Sequence, residues 1–319
     1  MINCEACLRS NPPTRLACLY CGETLPVPED VAAKVKPVLR PVEKGENGIN
    51  LILVKANVEL TGEALNQPAE LLHLNLTDLE RLLGSPLPLP VARTGVAREA
   101  EVIEQNLKAL GLVTISVPDV ALNLDTQPAQ RLRTVEFLED ELVVFTTSGE
   151  GQRIPWSAIN LILDGRLLTT QVEVKQKRGR GSARQIVDST QATTDEEVLD
   201  IYTAARDGGW RVLSNNFDFS CLGDKKGLIA IENFNVFKRL VCERATAAEF
   251  NDAYKRVRRQ LELIWPSEQQ TSSGGWHRER AGKYTTSDVA ITSNESQFTR
   301  YSRLCYFMKS SNRPANETT

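Results

Sequence analysis

The chain has 319 residues, a hydrophobic content of 41% and a formal net charge of −3. That length holds two or three domains, the apolar content is ordinary for packed cores, and the slight acidity argues against binding nucleic acid through the overall field of the protein. No apolar run approaches the roughly 18 residues that span a bilayer, so the chain reads as a cytoplasmic, multidomain α+β protein.

The first element is a pair of CxxC knuckles, Cys4-Glu-Ala-Cys7 and Cys18-Leu-Tyr-Cys21, within residues 1–25. Thiolate sulfur lies about 2.3 Å from zinc, and four such ligands close the coordination sphere, which leaves no position for a water nucleophile. The spacing therefore predicts a structural Zn2+ held by Cys4, Cys7, Cys18 and Cys21. Two disulfides or four free thiols are the alternatives. Cysteines that begin at residue 4 leave no room for an export signal before them, and a reducing compartment favours metal over disulfides. Asn11, Pro12 and Pro13 supply turn chemistry between the knuckles, and Gly22 follows the second one. The run from Arg15 to Gly22 resembles the small bacterial zinc-ribbon family, from which Leu8 departs where a glycine is common.

Residues 26–48, with Pro26, Pro28, Pro37 and Pro41 among charges and small residues, read as an extended linker. Residues 49–124 read as a compact α/β module. It opens on the strand Ile49 to Lys55, continues with a helix capped by Thr77 and Glu80 and stopped at Gly84, then a second helix with Val96, Ala100, Ile103, Leu107 and Leu110 on one face, and closes on the strand Val113 to Val117. This order, with the phrase from Arg98 to Gly111 feeding the last strand, resembles the fold shared by the ClpS adaptor and the C-terminal domain of the ribosomal stalk protein. The Asn-Asp pair with which ClpS grips N-terminal degrons has no counterpart between Ala56 and Gly62.

From residue 130 the pattern turns to strands, at Arg131–Phe137, Leu142–Thr147, Ile154–Ile162 and Trp210–Cys221, with 195–205 open between strand and helix. A capping box at Thr246 and Glu249, the stripe Phe250, Tyr254, Val257 and Leu261, and the stop at Pro266 predict a final amphipathic helix, whose Lys255, Arg256, Arg258 and Arg259 make a basic solvated face. Strands closed by such a helix, with the phrase Ile154-Pro-Trp-Ser-Ala-Ile159, resemble the pleckstrin-homology and GRAM-like folds over 130–266. The resemblance implies protein or inositol-lipid binding. Glu139, Asp140 and Glu141 occupy the hairpin where a lipid headgroup would need positive charge.

A basic loop is expected at 174–193, where Lys175, Lys177, Arg178, Arg180 and Arg184 are candidates for contact with a phosphate backbone or anionic membrane, although no aromatic lies within it to stack on bases. Residues 267–319, rich in Ser, Thr, Gln and Gly, read as a disordered tail carrying Trp276, Tyr284, Tyr301, Tyr306 and Phe307. Cys221, Cys242 and Cys305 lack metal spacing, and His73 and His277 lie far apart in sequence, so no catalytic set is indicated and no small-molecule substrate is implied. The expected function is a non-enzymatic adaptor for protein partners. The alternatives are nucleic-acid binding or regulation through the ribbon and basic loop, and peripheral membrane association through the pleckstrin-homology-like module.

Overall fold

The computed structural model describes residues 1–13, 15–26, 37–43, 45–56, 62–124, 126–147, 149, 151–179, 184–204, 206–280 and 283–311. The chain folds as two compact units, 1–122 and 123–319. The first begins with two short paired strands, β1 (Ile2–Asn3) and β2 (Ser10–Asn11), which belong to the cysteine segment.

An α/β module follows: β3 (Ile49–Ala56), α1 (Asn66–Leu72), α2 (Leu76–Leu83), β4 (Leu89–Thr94), α3 (Ala97–Ala109) and β5 (Leu112–Pro118). Its sheet is antiparallel in the order β4-β3-β5. Of the expected stripe on α3, Ala100, Ile103 and Leu107 are buried and Val96 and Leu110, at its ends, half-buried, while Leu79 and Leu82 bury the inner face of α2. The capping box expected at Thr77 is corrected: Asn75 is the cap, its side-chain oxygen accepting from Asp78 N at 2.9 Å, so α2 starts one residue before Thr77. β4 was missed because Pro86, Pro88 and Pro90 argue against a strand. At a sheet edge a proline costs no ladder bond, and β4 is an edge.

Of the expected linker, 27–36 lies outside the described residues, but its far end is docked. Pro37 is buried, and the N–H groups of Val38 and Leu39 donate to Glu99 Oε1 at 2.6 and 3.2 Å. Buried Asp119 ties the module's opening down, accepting from Gly48 N and Asn50 Nδ2, each at 2.9 Å, and from Arg93.

The second unit is built on β6 (Gln130–Phe137), β7 (Glu141–Thr146), β8 (Gly151–Pro155), β9 (Ile159–Gly179), β10 (Gln185–Thr203) and β11 (Arg206–Leu213), which together run in the order β9-β10-β11-β6-β7-β8. Residues 195–203 are therefore strand. Helix α4 (Ala230–Arg244) covers one face, placing Phe234, Phe237 and Val241 on a core of Leu132, Val144, Trp156, Ile201 and Trp210.

Two expectations are corrected beyond α4. The helix predicted from Thr246 is instead a short strand, β12 (Glu249–Asn251), parallel to β9, followed by α5 (Tyr254–Leu261). Asn251 Oδ1 accepts from Ala253 N at 2.9 Å, so the turn into the helix is made there, and Phe250 faces outward. Lys255 is not a solvated charge, because it bonds Asp164 and Glu197.

The expected disordered tail is the larger correction. Within 268–311 the described residues form β13 (Glu268–Ser273), β14 (His277–Arg280), β15 (Lys283–Ser293) and α6 (Glu295–Ser311), and the end of the expected tail, 312–319, lies outside the described residues. β15 pairs antiparallel with β9 over eleven residues, from Lys283 opposite Gly179 to Ser293 opposite Thr169. α6 packs Phe298, Tyr301, Leu304 and Tyr306 on the sheet face opposite α4. Gly165 gives Phe298 its place, since a Cβ there would collide with the ring.

A buried polar network locks α6 to the sheet centre. Asp200 and Arg211 form a bidentate pair with both bonds at 2.8 Å, Ser302 donates to Asp200 Oδ2 at 2.7 Å, and Thr299 accepts from Arg211 at 3.1 Å. A pair so fully removed from water leaves an uncompensated charge when one partner goes, a loss of about 3–5 kcal/mol. All four tryptophans, at 156, 210, 265 and 276, lie in this unit. In urea titrations followed by tryptophan emission, Arg211→Met is expected to destabilise the unit by that amount. A loss under about 1 kcal/mol, the size of an exposed pair, would contradict the network's role.

Candidate metal centre and basic arm

The two knuckles repeat one backbone design. In the first, Leu8 N donates to Cys4 O at 2.8 Å and Cys4 N to Arg9 O at 3.0 Å; in the second, Gly22 N donates to Cys18 O at 3.0 Å and Cys18 N to Glu23 O at 2.8 Å. Each turn closes through a left-handed residue, Leu8 with φ 60° and Gly22 with φ 77°. Glycine adopts that conformation freely, whereas leucine carries a Cβ clash. The departure seen in the sequence at Leu8 is thus a point of backbone strain.

Equivalent turns bring four sulfurs together. Cys4 and Cys21 Sγ are 3.5 Å apart, as are Cys7 and Cys18 Sγ, and all four lie within 4.8 Å of one another. A tetrahedron with metal–sulfur bonds of about 2.3 Å has sulfur–sulfur edges of about 3.8 Å, so the donor set fits a single ion.

Asn11 supports the ligands from behind. It is fully buried, accepts from Leu19 N at 2.9 Å, donates to Arg9 O at 2.9 Å and donates to Cys18 Sγ at 3.4 Å. Tyr20 N also donates to Cys18 Sγ at 3.4 Å. Burial opposes ionisation of Cys18, yet the N–H groups of Tyr20 and Cys21, with Asn11 and Cys7, bring its thiol down to about 6. At Cys21 the Glu23 N–H favours the thiolate, but burial and the three neighbouring sulfurs outweigh it and push the thiol up to about 12. The cluster thus resists holding four thiolates alone; a cation at its centre removes that repulsion.

The predicted basic loop is strand for most of its length. Lys175, Lys177 and Arg178 lie in β9, Arg184 directly precedes β10, and Arg180 lies outside the described residues. Beyond about residue 167, β9 and β10 continue as an arm to which β15, β13 and β14 add strands. This brings the basic stretch beside aromatic residues of the supposed tail. The Arg178 guanidinium lies 4.7 Å from the Trp276 ring centre and 5.6 Å from that of Tyr284, and Arg184 lies 5.5 Å from Trp276.

Trp276 and Tyr284 stood out in the sequence only as aromatics of a tail; that they, with Arg278, Arg280 and Lys283, join the basic stretch escaped sequence reasoning because about a hundred residues separate the two. A usable signal existed in the β-branched run from Tyr284 to Thr292 and the Gly274-Gly275 turn before Trp276. Among the other titratable groups, burial pushes the Cys221 and Cys305 thiols up to about 12. His73 ends α1 at the surface, and His277 Nε2 contacts Gly274 O at 2.7 Å.

No family model, curated protein or solved structure matches this chain. Among the described residues, no helix is long and apolar enough to cross a membrane. The geometry itself carries the functional reading.

The unequal knuckles make an expected difference in metal binding. Gly22→Ala imposes a left-handed penalty of about 1–2 kcal/mol and is expected to weaken apparent metal affinity roughly tenfold in competition with a chromophoric chelator. Leu8→Gly relieves strain and is expected to leave affinity unchanged or raise it. Equal losses in both variants would contradict the repeated-turn account.

Proposed function

We propose that the four-cysteine cluster holds a structural zinc ion and that the chain is a non-enzymatic adaptor. The carrying observation is the all-sulfur donor set at tetrahedral spacing, since thiolates select soft or borderline ions and four of them leave no open position for chemistry. Around the cluster, Leu8, Leu19 and Tyr20 stand exposed at 81, 52 and 56%, an apolar surface on a metal-fixed backbone that offers a seat for a protein partner.

The finer fold readings rest on layout. The order β-α-α-β-α-β with an antiparallel three-stranded sheet supports a ClpS or ribosomal-stalk-like reading of 49–122. Two three-stranded meanders covered by α4 support a pleckstrin-homology or GRAM-like reading of 130–266, from which the 21-residue β9, the parallel pairing of β11 with β6 and the covering by α4 in place of the helix expected at Thr246 depart. A second functional reading, nucleic-acid binding, is favoured by the meeting of arginines and aromatics on the arm.

Purified native chain is expected to contain one zinc per molecule, and Cys18→Ser to lose it by elemental analysis. Unchanged metal content would end the site assignment. For the adaptor, Leu19→Glu with Tyr20→Glu should retain zinc while losing a protein partner recovered with the native chain. Recovery of the same partner in the same amount would contradict the ribbon surface as the contact.

A further inference from the structure

Resting on the second reading, we infer that the end of the β9-β10-β15-β14 arm is a binding site for single-stranded nucleic acid, with Trp276 and Tyr284 as the stacking platform. Strand register places the decisive side chains on one face. Tyr284 lies opposite Arg178 on one side and Arg278 on the other, and the pairing of Gln185 with Lys177 continues this row to Arg184. Trp276, just ahead of β14, is brought to this face by its contacts with Arg178 and Arg184. Gly275, at φ 69°, makes the turn that returns the chain to the sheet immediately before Trp276. Four strands at about 4.8 Å spacing give a row about 14 Å wide, room for two or three stacked bases.

Charge accumulates at this end against the sign of the whole molecule. Residues 173–179, 184–188 and 273–280 with 283–288 contain seven cations (Lys175, Lys177, Arg178, Arg184, Arg278, Arg280, Lys283) and four carboxylates, in a chain of net charge −3. The carboxylates engage two of these cations and a glutamine: Glu173 and Asp188 lie by Lys175, Glu279 by Lys177, and Asp288 accepts from Gln176. The other five cations make no ion pair among the described residues.

A guanidinium over an aromatic ring covers one π face, itself offers a plane on which a base can stack, and keeps its in-plane N–H donors for phosphate oxygens. Base stacking on aromatics needs no particular sequence, and the positive rim follows the backbone. An anionic membrane is the weaker occupant, because Trp276 is held partly buried along the sheet and, among the described residues there, the exposed large apolar ones are Ile186 and Val187.

Trp156, Trp210 and Trp265 are buried, so quenching of tryptophan emission by a bound oligonucleotide reports on Trp276. The full-length zinc-loaded chain is titrated with a labelled mixed-sequence 12-nucleotide single strand, the corresponding duplex, and phosphatidylserine vesicles, from low to physiological salt. The single strand is expected to bind best and to quench, with log affinity falling against log salt at a slope of roughly −3.5 for five phosphate contacts. Trp276→Ala is expected to lower affinity about 5- to 100-fold with little change of slope. Arg184→Gln with Arg280→Gln, surface changes that spare the fold, should reduce the slope to roughly −2. Affinity lost with the arginines but untouched by Trp276→Ala, or preference for the duplex, would overturn the stacking site while leaving nucleic-acid binding standing. Binding to vesicles alone, or no binding at low salt, would overturn both.

Discussion

The second unit depends on the return of its C-terminal segment to β9. Without β15, the distal halves of β9 and β10 would be a two-stranded ribbon with polar side chains on both faces, and such ribbons are marginal in water. Eleven paired residues supply the third strand, and β13 and β14 add a fourth. The return is held at its far end by α6, whose Ser302 and Thr299 join the buried Asp200–Arg211 pair and whose Phe298 fills the space over Gly165. Polar network and apolar packing therefore act on the same helix.

The cysteine segment meets a different constraint. With Cys4, Cys18 and Leu25 as its buried cluster, it has too little apolar area to order its backbone unaided. Two equivalent turns place four sulfurs at ligand spacing, and Asn11 ties the turns together, so a metal ion held there would supply the energy that orders this segment.

Legibility in the sequence followed the range of the interactions involved. The CxxC knuckles were readable because ligand spacing is local, and α3 because its apolar face repeats within thirteen residues. β4 was hidden by prolines that an edge strand tolerates. The helix expected at Thr246 failed because a capping-box pattern competes with an Asx turn at Asn251, and the edge pairing of Glu249–Asn251 with β9 decided between them. The C-terminal segment was misread for a more general reason. Its Ser, Thr and Gln content lacks the apolar alternation that marks a half-buried strand, yet β15 gains its order from partners more than a hundred residues away, which composition does not report. The same distance concealed the approach of Trp276 and Tyr284 to the basic stretch.

The central claim is that residues 283–311 are an integral part of the β-sheet unit, and every feature of the arm follows from it. Amide hydrogen exchange on the intact chain tests this most directly. The account predicts that amides in β15 and α6 exchange slowly and that protection in the distal half of β9 is lost together with theirs as urea is raised. Exchange of 283–311 at the rate of an unstructured chain, with β9 still protected, would contradict it.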